Sequence, residues 1–282
     1  MNIGIRQNKS LEIKRERGIG AYTAVNAEGL WPAFENDLVI LVHGFNNDRK
    51  SAQGVYDKLL SNYRNSGVPE RYLKRIVPFF WPAYRDWVIK GASYSTMIGD
   101  TIAMSFKLAE YLNISFLNNR RLQITFIAHS LGCRLVLEAM TKILTPQIQN
   151  VKHTCLLAAA VPISLFGKPS GNLYPLTNTS LKFSGIASRA DWTLATLFRL
   201  GGLLSADGTA SRAVGFDGKP EHLWTDGCEH LRIGHTRYWG NMQVAQFVAG
   251  KINMPVARSI RRNDLFANEF SINTIGKREI GE

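Results

Sequence analysis

Residues Leu122 to Met140, LQITFIAHSLGCRLVLEAM, join two halves that require different backbones. Leu122 to Ala128 is an almost unbroken run of apolar and β-branched residues, which suits a parallel strand covered on both faces. Beyond it, Leu131, Leu135, Val136 and Ala139 recur at helical spacing, with no proline before Pro146. A strand therefore passes into a helix at Ala128-His129-Ser130-Leu131-Gly132. That pentapeptide is small-x-Ser-x-Gly, the pattern of a nucleophile elbow, with alanine where glycine is commoner. Small residues two before and two after the serine let strand and helix approach closely, and the sharp turn presents the Ser130 hydroxyl.

The remaining chain bounds the fold. At 282 residues and 45% hydrophobic it can bury a large core, and residues 1–250 read as one α/β domain followed by a polar, basic tail over 251–282. Three cysteines, Cys133, Cys155 and Cys228, are too few and odd in number for a disulfide framework, which favours a reducing compartment. The opening MNIGIRQNKSLEIKRERG carries charges where a signal peptide needs its apolar core, and no apolar run reaches membrane-spanning length. These features predict a soluble, cytoplasmic protein. The net charge of +12, with Lys14, Arg15 and Arg17 near one end and Arg258, Arg261 and Arg262 near the other, favours contact with anionic surfaces. No reading helix or aromatic-basic motif accompanies that charge, so nucleic acid is not an expected partner. Nothing in the sequence specifies an oligomeric state.

In chain order, residues 1–37 suggest a short hairpin including Tyr22 to Asn26, then a loop with Trp31-Pro32. Leu38 to Val42 (LVILV) is the first buried strand and runs into His43-Gly44-Phe45-Asn46-Asn47, with a helix from about Arg49 to Tyr63. Arg75 to Phe80 is a strand ended by Trp81-Pro82, and a helix over about Thr96 to Leu112 precedes the Leu122 strand. Further strands are expected at Lys152 to Ala159 and Leu181 to Ala187, separated by a Pro-, Gly-, Ser- and Asn-rich loop or small lid over 161–180. A second lid-like insertion falls within 192–222, and Thr236 to Gly250 is the last helix. Strands alternating with helices imply right-handed crossovers and a mostly parallel, twisted sheet with helices on both faces.

LVHGFNND, PFFWPAY and IAHSLGCR together make the chain resemble the α/β-hydrolases, in particular bacterial members of unassigned substrate with an HGFNN-type loop, an aromatic Trp-Pro strand end and an AHS-small-G-x-R elbow. The close match covers about Leu38 to Ala139. The resemblance implies an α/β-hydrolase fold and a triad in the order Ser, acid, His, which fits Ser130, Asp191 and His235. It also implies an oxyanion hole formed by the backbone N–H groups of Phe45 and Leu131.

Each role has a physical reason. A serine hydroxyl needs a base within hydrogen-bond reach. Among six histidines, His43 and His129 sit in motif turns and His153 lies at a strand, whereas His235 stands in a loop before the final helix, where this fold presents its base; His230 is the reserve. Asp191 follows a strand expected next but one to the nucleophile strand, and could alternatively cap the helix starting at Trp192. Asp217, Asp226 and Asp86 are reserve acids. His222, Cys228, His230 and His235 match no familiar zinc spacing, so no metal or other cofactor is expected. Trp81, Tyr84 and Trp192 are candidate substrate-binding residues, with Trp87 beside them. The apolar run Trp192 to Leu204 reads as core packing, acyl pocket or lipid-facing lid.

The expected activity is a serine hydrolase cleaving a small-molecule or lipid carboxylic ester, with an anionic membrane as a possible partner surface. Thioesterase or amidase activity with the same triad, or a silent fold used as a binding module, are the alternatives.

Overall fold

A computed structural model describes residues 9–16, 21–28, 36–83, 90–167, 170–198 and 211–255, with 90–95 and 197 described by backbone alone. Eight strands form one sheet in the order β2-β1-β4-β3-β5-β6-β7-β8, where β1 is Ser10–Glu12, β2 Asn26–Glu28, β3 Asp37–Val42, β4 Ile76–Phe80, β5 Gln123–His129, β6 Val151–Leu157, β7 Phe183–Ala187 and β8 Cys228–His230. Only β1 and β2 pair antiparallel; every other neighbouring pair is parallel. The predicted N-terminal hairpin is this β1–β2 pair, extended by an Arg15–Tyr22 bridge. Trp31-Pro32, Tyr84, Asp86, Trp87, residues 199–210 and the tail from 256 lie outside the described residues.

The helices are α1 Arg49–Asn65, α2 Glu70–Leu73, α3 Lys90–Asn118, α4 Leu131–Met140, α5 Tyr174–Thr177, α6 Val214–Asp217 and α7 Met242–Lys251. From β3 through α1 to β4 the chain moves one way along the sheet; from β4 through α3 to β5 it crosses back past β3. Right-handed crossovers then place α1 and α3 on opposite faces, and α4, which continues in the direction of α3, joins its face. The packing agrees: α3 lies along α4, and α7 lies against α1. The reversal makes the carboxyl ends of β3 and β5 a topological switch point, the place where open α/β sheets leave a crevice for ligands. His43 and Ser130 stand at those two ends.

Covered on both sides, the central strands bury nearly every residue: all of β3 except Asp37 and all of β5 except Gln123. Leu41 pairs with Ile127 and Val42 with Ala128, so the two motif-bearing turns leave the sheet side by side. The segment around 161–180 is anchored to the body by buried Val161, Phe166, Leu173 and Leu176, and by Asn172 donating to Glu138 of α4 at 2.9 Å. The final helix starts at Met242 rather than Thr236, because Asn241 caps it through Val244 N–H at 3.2 Å, and His235–Arg237 forms a separate 3-10 turn.

Glycines decide how closely the turns pack. A Cβ on Gly132 would stand 2.3 Å from the His43 carbonyl oxygen and 2.9 Å from that of Val42, so α4 can approach β3 only without one. A Cβ on Gly54, within α1, meets nothing within 4 Å. Gly132→Ala is therefore expected to destabilise the fold by about 1–3 kcal/mol or more, whereas Gly54→Ala should add up to about 1 kcal/mol by improving helix propensity. Urea unfolding of both variants checks this contrast, which equal midpoints would refute.

Candidate active site

Ser130 has φ 54° and ψ −125°, a combination that non-glycine residues adopt only when the surroundings hold them there. Three backbone bonds do so. The Ser130 N–H donates to the Leu157 carbonyl on β6, and its own carbonyl accepts from Cys133 N–H and Ala160 N–H. The residue is 4% exposed, in the turn between the carboxyl end of β5 and α4. Gly44 faces it so closely that a Cβ there would lie 2.7 Å from the Ser130 Cβ.

Ser130 Oγ is 2.8 Å from His235 Nε2, and His235 Nδ1 is 2.7 Å from Asp191 Oδ2. An ionised carboxylate only accepts, so the imidazole proton sits on Nδ1 and Nε2 is left to accept from the serine hydroxyl. The Asp191 side chain is fully buried, an arrangement that is costly unless its oxygens are satisfied. They are divided: Oδ2 takes the histidine, and Oδ1 accepts from Leu194 N–H at 3.1 Å. Capping and histidine orientation, opposed as alternatives in the sequence, are performed by one carboxylate. The helical turn it caps is a π-helix over Thr193–Leu197.

The reserve residues are occupied elsewhere. Asp217 pairs with Arg212 at 2.9 Å and Arg189 at 3.7 Å, and Asp226 with Lys251 at 3.5 Å. His230 lies on β8, its ring against Gly218. Among the described residues no three His, Cys, Asp or Glu side chains gather as a metal site.

His43 and His129 shape the turns, as their positions suggest. The Trp81 N–H donates to His43 Nε2 at 3.2 Å, which leaves the proton on Nδ1 to donate to the Gly44 carbonyl at 3.0 Å. Trp81 itself, a candidate pocket wall, is 3% exposed. Its ring stacks on His43 with centroids 5.4 Å apart, and its Nε1–H donates to the His43 carbonyl at 2.9 Å, so it braces the turn from behind. The His129 Nε2–H donates to the backbone carbonyl of His235 at 2.9 Å and so fixes the loop that carries His235. Trp192 is 75% exposed beside Asp191, while Leu194 and Phe198 of the same stretch are buried.

The backbone N–H of Leu131 opens α4, one of the initial helix donors that no intrahelical carbonyl can satisfy. Phe45 lies across the crevice in the turn after β3, where Asn47 Nδ2 holds the Gly44 and Phe45 carbonyls, each at 3.2 Å. Ser188 is a contributor that the sequence did not single out. Its hydroxyl donates to the Ile233 carbonyl at 2.8 Å and accepts from Ile233 N–H and Ala190 N–H, tying the loop before His235 to the loop before Asp191. The only signal for it was a serine at a strand end ahead of Asp191, a common turn residue.

The fold and this arrangement define an α/β-hydrolase. The chain belongs to the family described as alpha/beta hydrolase of unknown function (DUF900), whose model matches residues 26–208. No curated protein sequence matches it. Among solved structures it is similar to a predicted CIB-like hydrolase from Thermoplasma acidophilum, at 13% identity over 87% of this chain and 97% of that one, with a TM-score of 0.46. It is also similar to the catalytic core domain of acetyl xylan esterase from Trichoderma reesei, at 11% identity over 77% and 97% with a TM-score of 0.42. A cutinase-like protein from Cryptococcus sp. is similar at 10% identity over 78% and 97%, with a TM-score of 0.37.

Burial pulls both turn histidines towards the neutral form. Desolvation lowers the His43 pKa to about 4, and lowers that of His129 well below the ordinary value, with the neighbouring His235 adding to the effect. Because these folded-state values lie below the unfolded one near 6.5, the unfolded chain binds more protons between them. Stability is complete above about pH 6.5 and is lost as pH falls towards 4. Between pH 7.5 and 5, His43 alone should cost about 2 kcal/mol, measurable by urea unfolding at the two pH values. An unchanged unfolding midpoint would contradict this.

Proposed function

We propose that the protein is a serine hydrolase that cleaves a carboxylic ester through an acyl-enzyme, with Ser130 as nucleophile, His235 as base and Asp191 as the acid that orients it. The observation carrying this reading is the continuous hydrogen-bonded chain from Ser130 Oγ through both His235 nitrogens to Asp191, at 2.8 and 2.7 Å. As Ser130 Oγ attacks the ester carbonyl, His235 Nε2 takes its proton, and the buried Asp191 carboxylate stabilises the resulting imidazolium. The Leu131 and Phe45 backbone amides would receive the developing oxyanion; such donors are worth about 3–4 kcal/mol each in comparable sites. Collapse expels the alcohol, which takes its proton from His235. A water then enters along the same path, loses a proton to His235 and releases the carboxylic acid and Ser130. Thioesters and amides would use the same groups, so the ester is the substrate class to be tested first.

Turnover of a short-chain nitrophenyl ester and labelling by a fluorophosphonate test the roles together. Ser130→Ala should abolish both while leaving the fold intact. Asp191→Asn should lower turnover on the order of 10⁴-fold by supplying the wrong histidine tautomer, and Asp217→Asn and Asp226→Asn should be mild. Wild-type turnover in Ser130→Ala would overturn the mechanism. A large loss at Asp217 or Asp226, with Asp191→Asn nearly silent, would move the acid.

Exposed Trp192, directly after the acid, fits a contact with a long acyl chain or an anionic lipid surface, to which the net charge of +12 would draw the protein. No helix among the described residues is long and apolar enough to cross a membrane, so such contact would be peripheral. Trp192→Ser should raise KM for long-chain esters or lipid and leave short soluble esters unchanged. Equal kinetics on both substrates in the variant would remove Trp192 from substrate binding.

A further inference from the structure

The sheet has a polar cavity at the end opposite Ser130. Asp37 and Val39 of β3, Thr125 of β5 and His153 of β6 wall it from the amino-terminal halves of their strands, and the end of α7 closes one side. Thr125 lies five residues from Ser130 on β5, roughly 16 Å away along an extended strand. The cavity is therefore separate from the Ser130–His235–Asp191 chain.

Four permanent cations line it, Arg75, Lys152, Lys182 and Lys251, against two carboxylates, Asp37 and Asp226. Asp37 is shared between Arg75 at 2.8 Å and Lys152 at 3.6 Å, and Asp226 meets Lys251 at 3.5 Å. Among the described residues Lys182 makes no ion pair. Two positive charges are thus left uncompensated, and most of the existing pairs are too long to satisfy the ammonium donors fully. His153 is pulled towards its neutral form, since burial lowers its pKa and Lys182 and Lys251 oppose protonation, against the opposing pull of Asp226 3.7 Å away. Arg75 is itself only partly satisfied. One guanidinium nitrogen bonds Asp37, but its Nε–H is buried without a hydrogen-bond partner. A buried donor left unmade is costly, and a charged one more so.

We propose that this cavity binds a phosphate-type dianion. The ligand would neutralise the two surplus charges and draw the Lys182 and Lys152 ammonium groups inward as charge-assisted donors. The cavity volume of about 240 Å³ limits its size. That volume, below the about 300–1,000 Å³ of drug-sized ligand pockets, suits inorganic phosphate or a small phosphomonoester. A bound anion would tie together the near ends of β3, β5 and β6, the strands whose far ends position His43, Ser130 and the Leu157 carbonyl that holds it.

The test is thermal unfolding of the full chain with increasing inorganic phosphate, and in parallel with glycerol 3-phosphate, each against sodium chloride at matched ionic strength. Saturable stabilisation beyond chloride is expected, accompanied by shifts of the His153 ring resonances in NMR spectra. Saturation by both ligands assigns the site to phosphomonoesters, and by phosphate alone to the free ion. Lys182→Glu, an exposed position, should weaken binding at least tenfold, as should Lys152→Gln to a lesser degree, while Lys107→Gln on α3 leaves it unchanged. Short-ester turnover in Lys182→Glu should remain at the wild-type level. Stabilisation by both ligands no greater than by chloride, or wild-type saturation in Lys182→Glu and Lys152→Gln alike, would overturn the proposal.

Discussion

Everything at the candidate active site depends on how closely two turns meet at the carboxyl ends of β3 and β5. The elbow places Ser130 in a backbone conformation that a free chain would avoid, and it persists because strand, helix and the His43-Gly44 turn leave no other. Gly132 and Gly44 are the condition for that contact, since a methyl group on either would overlap the opposing turn. The hydroxyl is aimed by the same packing that gives the sheet its core. Local strain at one residue is offset by hydrophobic burial across several strands.

The second requirement is that an exposed loop deliver a histidine to a fixed point. Buried polar groups meet it. His129 holds the His235 carbonyl, Ser188 staples the approach to His235 onto the approach to Asp191, and Asp191 spends one oxygen on its own helix and the other on the imidazole. Each is desolvated, and each is satisfied by a specific partner, which is the circumstance in which a polar network narrows the range of conformations rather than merely costing free energy. Burial also keeps His129, packed against the His235 ring, towards the neutral form.

Much of this was legible in the sequence where the physics is local. Leu38–Val42 and Leu122–Ala128 read as buried parallel strands because burial on both faces demands continuous apolar runs, and the elbow read as a turn because only small side chains fit around Ser130. Asp191 and His235 needed more: 61 and 105 residues from Ser130 in the chain, they are brought to it by strand order, which the family resemblance supplied. β8 was not foreseen, since Cys228–His230 is three partly exposed residues at a sheet edge with no apolar run to announce it. Trp81 read as a pocket wall; that its ring also stacks on His43 was not legible, because a sequence shows that an aromatic residue ends a strand but not what its ring packs against. Ser188 and the cavity with the unmatched Arg75 donor were illegible for the same reason: both arise from residues of several elements meeting in space.

The chemistry proposed for the carboxyl end of the sheet requires a covalent intermediate on one identified oxygen. Mixing the protein with a nitrophenyl ester, quenching in acid during the first turnovers and measuring intact and peptide masses tests this directly. One acyl group per chain, carried by the peptide containing Ser130 and absent after turnover is complete, is the predicted result. Ester hydrolysis without any acylated Ser130, or an acyl group carried elsewhere on the chain, would contradict it.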